Sequence, residues 1–155
     1  MIGTAMPKSK RKAIKDLAQS KVVNIGDFRE LSKVKEAQRL ALISKDKKLA
    51  TELSSLLGSK RELEVFDGRF SFEQKLKGQE WDVVLLDQRD LGEEALSLCE
   101  KLKRQGPLEE TVMFILSDSS EKDLVRRGLE KGCDEWVTRF QDADGLVKLI
   151  DHYLN

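Results

Sequence analysis

The sequence predicts an α/β domain built on a parallel sheet with helices on both faces. Three observations predict it. Short apolar runs recur five times between residues 39 and 155. Each run is followed by a stretch whose apolar residues fall at helical spacing. The runs are continuous rather than alternating, as in strands buried on both faces.

The elements follow in order. Leu40-Ala41-Leu42-Ile43 reads as the first strand. Leu49, Leu53, Leu56 and Leu57 then lie on one helical face, which Gly58 stops. Leu63-Glu64-Val65-Phe66 is the second strand, and a short helix carrying Phe72 and Leu76 ends near Gly78. The third strand is Asp82-Val83-Val84-Leu85-Leu86. A stripe of Leu91, Ala95, Leu98 and Leu102 follows and closes at Gly106-Pro107. Val112-Met113-Phe114-Ile115-Leu116 is the fourth and most apolar strand. Its helix is marked by Leu124, Val125, Gly128 and Leu129, with Gly132 as the C-terminal stop. Glu135-Trp136-Val137-Thr138 is the fifth strand, and Leu146, Val147, Leu149, Ile150, Tyr153 and Leu154 form the last helix.

Five such units with right-handed crossovers leave few arrangements. The one expected is the flavodoxin-like (βα)5 doubly wound sheet, order 2-1-3-4-5, with residues 39–155 as the domain and residues 1–38 as an N-terminal extension. The ligand crevice of that order lies at the carboxyl ends of strands one and three. Here the residues after Ile43, Leu86, Leu116 and Thr138 frame it.

Composition narrows the function classes. The chain has 155 residues, 39% hydrophobic and 36% charged, with no apolar run near the ~20 residues of a membrane span. The first twenty residues have no apolar core of a secretory signal, so the cytoplasm is the expected location. Cys99 and Cys133 have no metal-ligand spacing with the single histidine, His152, and are read as reduced thiols. No metal and no cofactor are expected. Without a GxSxG motif or triad partners, hydrolase chemistry has no support.

The net charge of zero is unevenly spread. Residues 1–38 hold nine Lys/Arg against four Asp/Glu, a net of +5, and the remainder holds nineteen against twenty-four, a net of −5. The cluster Lys8, Lys10, Arg11, Lys12 and Lys15 has the charge to touch nucleic acid or an anionic membrane surface, an alternative that stays open. The preferred reading is a solvated tail, because no aromatic is interleaved to stack on bases. Nucleic acid is therefore not the expected partner. The extension itself is read as weakly structured or docked.

Beyond the element order, Phe114-Ile115-Leu116-Ser117-Asp118 and Gly132-Cys133-Asp134-Glu135-Trp136-Val137-Thr138-Arg139-Phe140 carry a resemblance, as does Trp81-Asp82-Val83-Val84-Leu85-Leu86-Asp87. Across residues 38–155 the chain resembles the receiver (CheY-like) domain of two-component response regulators. The resemblance implies Asp87 as the phosphoacceptor-equivalent residue, Ser117 as the hydroxyl that bonds the phosphoryl group, and a lysine after the fifth strand. It also implies two acidic residues after the first strand, which hold Mg²⁺ through hard oxygen ligands.

The sequence departs from that pattern at the metal site. Ser44-Lys45-Asp46 stands where the acidic pair belongs, with Asp46 one position late and expected to point away from the crevice. Arg139-Phe140 replaces Lys-Pro, while Leu91 and Ala95 replace a proline and a glycine that the family carries after its aspartate. The family pocket, with three carboxylates and one lysine, needs a cation. Asp87, Lys45 and Arg139 together already carry a net +1. A lysine ~4 Å from Asp87 is worth ~4 kcal/mol at an effective dielectric near 20.

The expectation is thus a degenerate pseudo-receiver in which Asp87 is an ion-pair anchor for Lys45 or Arg139. It would be no enzyme, and would bind a signalling protein through the face made by the fourth helix, fifth strand and last helix. Arg126, Arg127, Lys131, Trp136 and Lys148 are its candidate contact residues, and a homodimer through the same face is a second expectation. The alternative is an active phosphoacceptor, phosphorylated on Asp87 by a histidine kinase. For Ser117 a turn role stays open, for Lys45 an exposed loop position, and for Trp136 a core position.

Overall fold

The computed structural model describes residues 37–76, 79–104, 108–138 and 142–155. Five strands are β1 (Gln38–Ile43), β2 (Arg61–Phe66), β3 (Val83–Asp87), β4 (Val112–Leu116) and β5 (Glu135–Val137). Among the described residues, and apart from a single turn at Gln88–Leu91, the helices that alternate with them are α1 (Lys47–Leu57), α2 (Arg69–Gln74), α3 (Glu94–Lys103), α4 (Lys122–Glu130) and α5 (Ala143–Leu154). All strand pairs are parallel, in the order β2-β1-β3-β4-β5. This is the doubly wound flavodoxin-like arrangement.

The sheet is apolar on both faces because its residues alternate between two cores. Ala41, Ile43, Val84, Leu86, Met113 and Ile115 point to one face and meet Phe72, Trp81, Leu98 and Leu102. Leu40, Leu42, Val83, Leu85, Phe114 and Leu116 point to the other, against Leu49, Leu53, Leu57, Leu146 and Ile150 of α1 and α5. Each fully buried leucine contributes roughly 1.5–3 kcal/mol. At the β2 end the rings of Phe66, Phe72 and Trp81 meet edge-on or tilted, with centroids 5.2–5.9 Å apart.

Two sequence expectations need adjustment. The stripe from Leu91 to Leu102 is not one helix: a single turn, Gln88–Leu91, ends at Gly92, whose φ of 61° breaks the register before α3 begins. The other concerns the first strand, read from Leu40: β1 already includes Gln38 and Arg39. Of the N-terminal extension, residues 1–36 lie outside the described residues. Among the described residues no helix is long and apolar enough to cross a membrane.

Candidate functional site

The central strand β3 delivers its last residue, Asp87, to the carboxyl edge of the sheet with 0% exposure. A buried carboxylate must be hydrogen-bonded and paired to remain charged. Four donors meet this need. Ser44, which follows β1, donates its hydroxyl to Asp87 Oδ2 at 2.6 Å. Arg89 donates its backbone N–H and its Nε to Oδ1, both at 3.0 Å, and its Nη2 to Oδ2 at 2.7 Å. A carboxylate offers about four lone-pair sites, and four are taken.

The same guanidinium reaches a second carboxylate. Arg89 Nη2 donates to Asp46 Oδ2 at 2.9 Å. The other oxygen of Asp46 caps α1 by accepting the Leu49 N–H at 3.0 Å. The Leu49 N–H and then Arg89 hold the Asp46 carboxyl below its ordinary value. Reciprocally, bonding to Asp87, and less strongly to Asp46, raises the Arg89 guanidinium further above its usual range. Arg89 therefore ties the β3 turn to the start of α1 by bridging two carboxylates.

This corrects the sequence reading of the charges. Lys45 is exposed: its backbone N–H donates to Asp90 Oδ2 at 2.6 Å, and its ammonium makes no ion pair with a described carboxylate. The chain path explains the difference, since Ser44 turns into the crevice and Lys45, the next residue, turns out. Nor does Asp46 point away, because its N-cap position aims one oxygen at Arg89. Arg139 lies outside the described residues. Sequence reasoning missed Arg89 altogether. The available signal was the run Asp87-Gln88-Arg89-Asp90, in which a residue two after an N-capping aspartate turns back over it.

Ser117, buried at the end of β4, donates its hydroxyl to Gln88 Oε1 at 2.8 Å and accepts the Ser119 N–H at 3.0 Å. The Ser119 carbonyl in turn accepts the indole N–H of Trp136 at 2.8 Å. A continuous set of bonds thus joins the turn after Asp87 to β5. Trp136 is half-buried and packs on the core from the α4 side.

The candidate contact cations are largely neutralised within the chain. Arg126 pairs with Asp123 and Glu130, Arg127 with Glu93 at 2.9 Å, and Lys131 with Glu100 at 3.3 Å. Lys148 and His152 are exposed on α5. Both cysteines are buried and unbridged.

The receiver fold implies a divalent cation beside Asp87, and the residues present do not fit one. Ser44 and Lys45 replace the carboxylates that would bind it, and the lone pairs of Asp87 are occupied by Ser44 and Arg89. Among the described residues no group of three or more His, Cys, Asp or Glu converges as a metal cluster.

Comparison with solved structures places this geometry. A BeF3-activated DrrB receiver domain superposes with a TM-score of 0.66 at 22% identity, covering 76% of this chain and 97% of that one. The fold is that of a response-regulator receiver domain. An orphan response regulator of H. pylori matches this receiver fold at 0.66 and 21% identity, over 76% of this chain and 97% of its own. A signal receiver domain from Bermanella marisrubri matches at 0.66 and 18%, over 77% and 100%. No protein-family model and no curated protein matches the sequence.

Proposed function

We propose that this chain is a pseudo-receiver: a protein-binding regulatory module of two-component-type signal transduction that works without phosphorylation and catalyses no reaction. One observation carries the reading. The guanidinium of Arg89 is bonded to both oxygens of the acceptor-equivalent Asp87 and bridges it to Asp46. A tethered cation there supplies the charge that other receivers draw from solution, and it does so permanently.

Three features support it. The carboxylate that would attack a phosphodonor has no exposed surface. The cation cannot leave with a change in metal concentration. The Ser117 hydroxyl, which would bond a phosphoryl oxygen, is engaged with Gln88. In this reading the bonds from Gln88 through Ser117 and Ser119 hold Trp136 in one position, so the α4–β5–α5 face is presented to its signalling partner constitutively.

Phosphoryl transfer to Asp87 is the competing reading, favoured by the position of that aspartate at the end of β3 and by the nearby serine. Incubation with acetyl phosphate and Mg²⁺, followed by intact-protein mass measurement, separates the two. The pseudo-receiver gives no phosphoryl increment. A hydroxylamine-labile increment lost in D87N establishes the competitor.

A further inference from the structure

The side-chain carboxyl of an aspartate is open to attack by its own main chain. The amide nitrogen of the next residue can close on Cγ to form a five-membered imide, and a side chain on that next residue hinders the closure. Glycine, without a Cβ, hinders it least. Three aspartates in the chain precede glycine or serine: Asp67-Gly68, Asp118-Ser119 and Asp144-Gly145. In sequence the two Asp-Gly pairs are equivalent. The fold makes them different.

Closure needs an attacking N–H that no hydrogen bond holds and a carboxyl that can turn toward it. Gly145 lies within α5, and its N–H donates to Asp142 Oδ1 at 3.4 Å. The Ser119 N–H donates to Ser117 Oγ at 3.0 Å. The Gly68 N–H, by contrast, donates to no acceptor among the described residues. Gly68 is extended, with a φ of −170°, and a Cβ there would meet nothing within 4 Å, so the surroundings leave room for the chain to bend. Asp67 is exposed, and its carboxylate accepts the Ser71 hydroxyl at 3.3 Å, long for such a bond. That hydroxyl has one hydrogen to give and lies closer to the Gly68 carbonyl, at 3.1 Å.

We propose that Asp67 is a site of isoaspartate formation, which makes this chain a substrate for a methyltransferase that esterifies isoaspartyl carboxylates. The Gly68 nitrogen gives up its proton and bonds to Asp67 Cγ, while the hydroxyl of the protonated carboxyl leaves as water. Water then adds to the Asp67 main-chain carbonyl carbon and breaks its bond to nitrogen, leaving the chain running through Cβ and Cγ. One water leaves and one enters, and nothing is oxidised or reduced. The enzyme's S-adenosylmethionine then passes its methyl group to the freed carboxylate and departs as S-adenosylhomocysteine. The isomer gains one main-chain atom in the connection between β2 and α2, whose ends are pinned. The Phe66 carbonyl accepts the Ser44 N–H at 2.9 Å, and the fully buried ring of Phe72 packs edge-on against that of Phe66. The Asp87 site plays no part, so the inference stands apart from the pseudo-receiver reading.

The test ages the full-length folded chain for weeks in mildly acidic buffer, where a fraction of the carboxyl is protonated. Trypsin then releases residues 62–69 and 140–148 as separate peptides, and an isoaspartyl methyltransferase with tritiated S-adenosylmethionine reports the isomer in each. The expected result is label in the 62–69 peptide, eluting apart from its parent at the same mass, and none in 140–148. G68A should abolish the label, and the open, extended position accommodates that methyl group. Ageing in guanidinium should label both peptides, because the fold no longer holds the Gly145 N–H. No label in 62–69, equal label in 140–148 of the folded chain, an unchanged yield in G68A, or a silent 140–148 peptide in denaturant would overturn the proposal.

Discussion

Gly128 in α4 stands so close to the indole of Trp136 on β5 that a Cβ at that position would lie 2.6 Å from both Cε3 and Cζ3. No real side chain tolerates that distance, so the glycine is what lets the helix lie on the ring. The indole N–H is held from its other side by the Ser119 carbonyl. Trp136 is thereby gripped between a helix and the loop that precedes it.

G128A reports on that grip. In an unconstrained helix interior, Gly→Ala stabilises by ~1 kcal/mol. Here the methyl group must displace the ring, and overpacking of this kind costs about 1–3 kcal/mol. Urea unfolding should give a net loss of stability together with a shift in tryptophan emission. A gain in stability would show that the ring moves aside at no cost.

The Arg89–Asp87 pair should be energetically coupled. Removing the guanidinium leaves a buried carboxylate with Ser44 and a backbone N–H as its donors. R89A should destabilise by about 1–3 kcal/mol, and the loss should largely vanish in a D87A background, a coupling of about 2 kcal/mol. R89K should recover only part of it, because an ammonium cannot reproduce the two-pronged fork. Chemical denaturation of the four variants checks this; additive losses would mean that the two residues do not interact.

The contrast between what the sequence revealed and what it concealed has a physical basis. Strand and helix order was readable because burial on both faces writes continuous apolar runs such as Val112–Leu116 and 3.6-period stripes such as Leu49, Leu53 and Leu57. That Ser44 and Lys45, not a pair of acids, follow the first strand was equally plain. The identity of the compensating cation was not. Whether Lys45 or Arg89 faces Asp87 depends on the direction each side chain takes as its loop leaves the sheet, and linear spacing does not encode that direction. The break at Gly92 was hidden for a similar reason, since Leu91 and Ala95 remain at helical spacing across it.

Acid should expose the contribution of Asp46. Its carboxyl is held low by the Leu49 N–H and by Arg89, so the folded pKa lies below the unfolded one. The associated stability is complete above the unfolded value of about 3.9 and is lost as pH falls through the folded value. D46N keeps a capping side chain but forfeits the charge, so it should be less stable than wild type by about 0.5–2 kcal/mol at neutral pH. That gap should close at pH values below about 4. A gap that persists in acid would assign the effect to capping alone.

Burial pushes the thiols of Cys99 and Cys133 up to about 12. Thiolate, the reactive form, is then scarce near neutrality. In Ellman titrations both cysteines should stay silent in the folded chain and react together on addition of denaturant. Prompt reaction of the folded protein would contradict their enclosure.

The central claim, that Arg89 fills the cation's place beside Asp87, is tested most directly by amide NMR during addition of Mg²⁺ and beryllofluoride. The account predicts no saturable change at residues 44–46, 87–90, 117 or 136. Saturable shifts localised at Asp87 and Ser117, transmitted to Trp136, would contradict it.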